Sequence, residues 1–421
     1  MRNFKRKGTK AAVWVGTAVF VCIVFWGVFQ FSGLFLDRMF PRDGAQPGPA
    51  PSASPQDEPR DTAEVSSAPA SSGSASGASV GGMFRVYEDA AKEKLEKMTL
   101  KEKVGQVFIF AAPSSGAIRT IDDYSPGGYC LSGRDFAGKT AAQVKKTLKA
   151  YQNSSKIPMF LCCDEEGGTV VRVSGNRALA PKKFQSPQQV FQSGGYGAVA
   201  DDTARRAQLL ASLGVNLNLA PVCDVSTDPK NFIYDRSFGR NAQETAKFVE
   251  VSVQTYNDRK MGCALKHFPG YGNTGDTHTA AARDGRSYQT FQTSDFLPFQ
   301  AGIKAGAPCV MVSHCVVESM DSERPASLSP QVHAILREKL GFTGVVMTDS
   351  LAMGAVSAYA KGKNAAVEAF LAGNDILLMP DVSSSYKALY EAVRKGSVSE
   401  KRLDESVLRI LAWKIELGVI S

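Results

Sequence analysis

The residues best placed to do chemistry fall between Ala264 and His278. There an apolar run ends in Lys266 and His267, and a Gly/Pro-rich loop then presents Asp276 and His278 two residues apart. Gly and Pro fix the shape of a turn, so polar side chains at its far end can return over the strand that launched it. An imidazole titrates near neutrality, and a carboxylate beside it can orient the ring and stabilise its charged form. The pair therefore suits a proton carrier in a sugar- or acyl-handling site. An ordinary strand-to-helix connection can carry the same two residues, so the rest of the chain has to decide.

The elements that would position these residues are short and regular. Strands are expected at Val104–Ala111, Gly128–Leu131, Met159–Cys163, Val215–Ala220, Cys263–His267, Cys309–Ser313, Val345–Thr348 and Ile376–Met379. Helical spacing recurs between most of them, as near Thr203–Leu213, and in Glu400–Glu416, where Leu403, Val407, Ile410 and Leu411 repeat. Thr99 with Glu102 reads as a capping box opening a helix. Wholly apolar strands that alternate with helices describe a parallel sheet covered on both sides. The fold class expected is α/β, a (β/α)8 TIM-type barrel; an open doubly wound sheet lacks its Gly-x-Gly-x-x-Gly opening here.

In such a barrel the chemistry gathers where strands end. The strand ends carry Asp164–Glu165–Glu166, Asp224, Lys266–His267, Ser313–His314 and Thr348–Asp349–Ser350, with Asp235–Arg236 in the loop after strand four. Of the four histidines, His267, His278 and His314 fall on this one rim, while His333 lies in a helical stretch and is expected at the surface.

The chain ahead of the barrel reads differently. Arg2, Lys5, Arg6, Lys7 and Lys10 precede residues 11–36, which are apolar apart from Thr17, Gln30 and Ser32. That is long enough to span a bilayer, for which about 20 apolar residues suffice. The basic flank predicts residues 1–10 in the cytoplasm, a single-pass uncleaved anchor in the cell membrane, and the remainder outside. Residues 37–83, rich in Pro, Ala, Ser and Gly, are too polar to fold and read as a disordered linker, leaving 84–421 as the folded domain. Much of the formal charge of +8 belongs to the terminus, and no basic stripe interleaved with aromatics argues for nucleic acid. The eight cysteines show no zinc spacing and fall mostly in or beside apolar runs, which predicts reduced core thiols.

Taken together the motifs resemble the family 3 glycoside hydrolases, in their single-barrel β-N-acetylglucosaminidase branch. The matching pieces run in order: Asp-Glu-Glu-Gly-Gly at 164–168, Asn-Leu-Ala-Pro-Val at 218–222, Asp-Arg-Ser-Phe-Gly at 235–239 and Lys-His-Phe-Pro-Gly at 266–270. Asp-Thr-His at 276–278, Pro-Ala-Ser-Leu-Ser at 325–329 and Thr-Asp-Ser-Leu-Ala-Met at 348–353 complete the series. The resemblance implies a retaining exo-hydrolase of terminal β-N-acetylglucosamine, acting on peptidoglycan fragments or other amino-sugar glycans. Asp349 would be the nucleophile, His278 the general acid/base and Asp276 its partner. Asp164, Arg172, Arg236, Lys266, His267 and His314 would bind the sugar, with no metal or cofactor. The chain departs from the family pattern at Tyr271, where His is usual, at Thr169, where Arg is usual, and in a loop from Lys266 to Asp276 shorter by one residue. Alternatives are a β-glucosidase or β-xylosidase, an N-acetylglucosaminide phosphorylase, and a membrane-tethered sugar-binding protein without catalysis.

Overall fold

The computed structural model describes residues 81–272, 282–352, 356, 359, 362–380 and 383–421. The basic end, the expected anchor and nearly all of the expected linker lie outside the described residues, as do Asp276 and His278. Among the described residues no helix is long and apolar enough to cross a membrane.

Eight parallel strands form one sheet: β1 (Phe108–Ala111), β2 (Gly128–Cys130), β3 (Phe160–Cys163), β4 (Leu217–Asn218), β5 (Gly262–Phe268), β6 (Cys309–Val312), β7 (Val345–Thr348) and β8 (Leu377–Met379). Each pairs with the next up to β7, and β1 pairs with β8. A parallel bridge from Met347 to Ile376 joins β7 to the start of β8 and closes the sheet into a barrel. Closure explains the strand composition: inward side chains fill the lumen and outward ones meet helices, so both faces are apolar. The outer helices are α1 (Ala117–Tyr124), α2 (Ala141–Ser154), α3 (Pro187–Leu213), α4 (Ala242–Asp258), α5 (Phe296–Lys304), α6 (Pro330–Ala334), α7 (Ala365–Ala372) and α8 (Ser383–Arg394).

Three expectations need correcting. The first strand starts at Phe108, not Val104, because the Thr99–Glu102 capping box forms and commits Leu100–Gln106 to a helix. Helix α3 starts at Pro187, well ahead of Thr203. Ser186 caps it, and Gly194 and Gly195 break the helical backbone, which interrupts the periodicity a reader of the sequence relies on. His333 is buried rather than exposed, with Nδ1–H donating to the Ser329 carbonyl at 2.8 Å. Gly373, at φ 126°, leaves room for it: a Cβ there would meet the His333 ring at 3.0 Å.

At the barrel's other end the Glu400–Glu416 helix lays Trp413 against Phe160, with ring centroids 4.5 Å apart. The next residue, Lys414, is fully buried and donates to Gln106 Oε1 at 2.7 Å. Burial pushes its ammonium down to about 7. Of the seven described cysteines, six are buried and Cys130 is half-buried.

Candidate active site

The site is assembled at the C-terminal ends of the strands, starting from β3. Glu165, buried just past the strand, accepts hydrogen bonds from the backbone N–H groups of Arg172 (2.8 Å), Val173 (2.7 Å) and Ser174 (3.2 Å). This ties down the returning loop and brings the Arg172 guanidinium to 3.7 Å from Asp164.

Strand β5 then carries two chargeable side chains into a wholly buried strand, which is costly unless both are paired. Lys266 Nζ lies 2.7 Å from Asp164 Oδ1 and 2.6 Å from Glu166 Oε1. Arg236 grips Glu166 with two charge-assisted bonds, Nε to Oε2 at 2.9 Å and Nη2 to Oε1 at 2.8 Å. Burial alone would raise the Glu166 carboxyl, but Lys266 and Arg236 outweigh it and hold it far below the usual carboxylate range. Lys266 is raised in turn: burial opposes its charge, and Asp164 and Glu166 more than restore it.

His267 has its ring fixed from both sides. Nδ1 meets the buried Asp224 carboxylate at 2.8 Å, and Nε2 lies 3.3 Å from Arg236 Nη2. The carboxylate can only accept, so Nδ1–H donates to Asp224. Asp224 also accepts the Tyr271 backbone N–H at 2.8 Å, so one carboxylate orients both the histidine and the start of the following loop. Tyr271 itself is buried, packing on His267 and Phe232 with centroid separations of 5.1 and 5.2 Å.

Asp349 follows β7, its backbone N–H on the Val312 carbonyl at 2.9 Å and its Oδ1 accepting the Ser350 N–H at 2.7 Å. Burial works against its ionisation. The fields of His267, His314 and Lys266 and the Ser350 N–H prevail, so its carboxyl lies below the ordinary range. The floor and wall between these groups enclose a cavity of about 390 Å³, lined on its polar side by Asp164, Arg172, Arg236, Lys266, His267 and Asp349. Leu219, Met311 and Leu378 make its floor apolar. That volume falls in the range of small-molecule sites.

Six of the nine candidate residues thus line one cavity. His314 does not. It is fully buried behind Asp349, with Nδ1 2.7 Å from Ser327 Oγ and Nε2 3.0 Å from the Ser350 carbonyl, where it steadies the Asp349–Ser350 turn. Asp276 and His278 lie outside the described residues, which break off at Gly272, next to the Tyr271 ring packed on His267. Beside Gly270 lies Arg286, whose guanidinium is shared between the buried Asp284 (2.7 Å) and Asp295 (2.9 Å) and reaches the Gly270 carbonyl at 3.4 Å. Gly272 has to be glycine here, since a Cβ would overlap Arg286.

Sequence reasoning gave no role to Glu166, Asp224 or Arg286. The first two stand at strand ends, which was signal enough to name them; their partners are remote in the chain and only the closed barrel brings them together.

Residues 92–413 match the family described as Glycosyl hydrolase family 3 N terminal domain, most of the chain. The chain belongs to glycosyl hydrolase family 3. Among family 3 relatives, a β-hexosaminidase from Xanthomonas campestris pv. campestris is 39% identical over 259 residues, covering 60% of this chain and 76% of the relative. β-Hexosaminidase A from Pseudoalteromonas piscicida is 32% identical over 327 residues, 70% of this chain and 54% of that protein. A family 3 β-N-acetylglucosaminidase from Paenibacillus sp. str. FPU-7 superposes with a TM-score of 0.71 at 31% identity; the match covers 76% of this chain and 63% of that one. Among the described residues no group of His, Cys, Asp and Glu is arranged to hold a metal ion.

Proposed function

We propose that this family 3 barrel is a retaining exo-β-N-acetylglucosaminidase, removing terminal β-linked N-acetylglucosamine from amino-sugar oligosaccharides or muropeptides. The observation that carries this reading is Asp349: a carboxylate favoured in its ionised form, in the wall of a polar cavity of about 390 Å³.

In the proposed reaction, Asp349 attacks the anomeric carbon as His278 protonates the leaving oxygen, so the C–O bond breaks and an ester to Asp349 forms. His278 then takes a proton from water, whose oxygen attacks the same carbon and releases Asp349. Two displacements return the original configuration. Asp276 orients and stabilises the imidazolium, while Asp164, Arg172, Arg236, Lys266 and His267 offer directed acceptors and donors to sugar hydroxyls. The preorganised Lys266–Glu166–Arg236 network supports this role, because its donors are already oriented when the sugar arrives. His314 acts on the Asp349 turn rather than on the sugar.

The N-terminal composition supports a membrane-anchored enzyme with its barrel outside the cell. Protease treatment of intact cells tests this: loss of the barrel with residues 1–10 retained agrees with it, and protection of the barrel contradicts it.

One assay tests the activity. Purified protein is offered an aryl β-N-acetylglucosaminide and an aryl β-glucoside, each with and without phosphate. Fast release from the first, independent of phosphate and lost in Asp349→Ala and His278→Ala, agrees with the proposal. Preference for the glucoside, a requirement for phosphate, or full activity in both variants contradicts it.

A further inference from the structure

The cavity floor holds chemistry that hydrolysis does not use. Cys130 is the last residue of β2, half-buried, and it lines the sugar cavity. Cys162 on β3 is its paired residue in the parallel register and is fully buried. Neighbouring strands run about 4.8 Å apart, and paired residues project to the same face of the sheet. Two cysteines so placed have a Cα separation inside the ~4.4–6.8 Å range that a disulfide spans. Cys163 cannot compete for Cys130, because alternation turns it to the opposite face. The neighbouring Cys130, together with burial, pushes the Cys162 thiol well up.

The pair is tied to the sugar site by position. Asp164 follows Cys162 by two residues and so shares its face, and Asp164 is the carboxylate that holds Lys266 at 2.7 Å and lies 3.7 Å from Arg172. A covalent tie between Cys130 and Cys162 would draw the ends of β2 and β3 together beneath that network, and any group added to Cys130 would occupy the cavity itself.

We propose that Cys130 and Cys162 form a thiol modification site in the floor of the sugar cavity, oxidised by small-molecule disulfides to an intramolecular disulfide that blocks sugar binding. Cys130, the cavity-facing sulfur, attacks one sulfur of the reagent as its thiolate and expels one thiol, giving a mixed disulfide. Cys162 loses its proton and displaces the second thiol, so two protein thiols become one disulfide and one reagent disulfide becomes two thiols. Added dithiol reverses the exchange by attacking the same disulfide. Its effect on turnover rests on the hydrolase reading above; its formation does not.

The test treats the full chain with 2,2′-dithiodipyridine at neutral pH. Two readouts follow: peptide mapping by mass spectrometry without reduction, and hydrolysis of the aryl β-N-acetylglucosaminide relative to each protein's own untreated rate. The expected result is a Cys130–Cys162 cross-linked peptide, at least a tenfold fall in kcat/KM, and recovery with dithiothreitol. Cys162→Ser stops at the mixed disulfide on Cys130, and Cys130→Ser retains its own untreated rate under the reagent. Absence of the cross-link overturns the proposal, as does full activity of the cross-linked protein or equal inactivation of Cys130→Ser. An untreated enzyme that hydrolyses no N-acetylglucosaminide overturns the hydrolase reading instead, while the mapped cross-link still decides whether the thiol site exists.

Discussion

Glu166→Gln isolates the charge network that shapes the cavity. The carboxylate is almost wholly buried and receives two bonds from Arg236, at 2.9 and 2.8 Å, and one close approach from Lys266, at 2.6 Å. Glutamine keeps the shape and one acceptor, but its NH2 group must face a guanidinium or an ammonium, donor against donor. Removing one partner of a buried ion pair costs about 3–5 kcal/mol. With one acceptor retained and Asp164 still on Lys266, the lower end applies, about 3 kcal/mol, or roughly a hundredfold in the folding equilibrium. Urea denaturation at pH 7 should show that loss as a lower midpoint with an unchanged slope. The sign of the pH dependence adds a control. Glu166 is lowered in the folded state, so its contribution is complete above the unfolded value of about 4.3 and is lost as pH falls below it. Wild type and variant should therefore converge in acid. Rearranged donors should also reduce kcat/KM by about tenfold or more. A loss under about 1 kcal/mol with kcat/KM unchanged would refute the reasoning, because the three groups would then not depend on one another.

Three further outcomes follow from the same structure. His314→Ala should lower kcat by about tenfold with little change in KM, since the ring holds the Ser350 carbonyl behind Asp349 and does not line the cavity; a change confined to KM would contradict that. Asp295 is raised by burial to about 6, against the field of Arg286, so its contribution is complete below about 3.9 and is lost as pH rises through about 6. Thermal melts of Asp295→Asn should lack the wild-type decline across that window, and an identical pH profile would count against it. Lys414, with Gln106 as its hydrogen-bond partner, lies near 7 rather than about 10.4, so its burial costs most at and below neutrality and the cost fades toward pH 10. Lys414→Met should be the more stable protein at pH 7, with the gain shrinking as pH rises; a destabilised variant at pH 7 would show that the Gln106 bond outweighs burial.

Much of the barrel was legible because its strands are so apolar. Val345–Thr348 is buried along its whole length, and both faces of the strand say so in sequence. Boundaries were harder where two signals overlapped: Val104 continues the apolar run of β1, yet the Thr99–Glu102 box holds it in a helix. His333 misled because a lone polar residue at helical spacing carries no mark of the Ser329 carbonyl that accepts its hydrogen bond. In the site, the types and strand-end positions of Asp164, Lys266, His267 and Asp349 were enough to group them. The roles of Glu166, Asp224 and Arg286 were not legible, since each depends on partners that the barrel or the loop fold supplies. His314 shows the converse: rim position in the sequence placed it with the sugar ligands, while the structure turns its ring under the Ser350 carbonyl.

The central claim is that Asp349 becomes bonded to the sugar. Reaction with an activated, slowly released fluoro-substituted N-acetylglucosaminide, followed by peptide mass spectrometry, tests it directly. The account predicts one added sugar on the peptide containing Asp349, absent from Asp349→Asn. An adduct on any other residue, or complete turnover by Asp349→Asn at the wild-type rate, would contradict it.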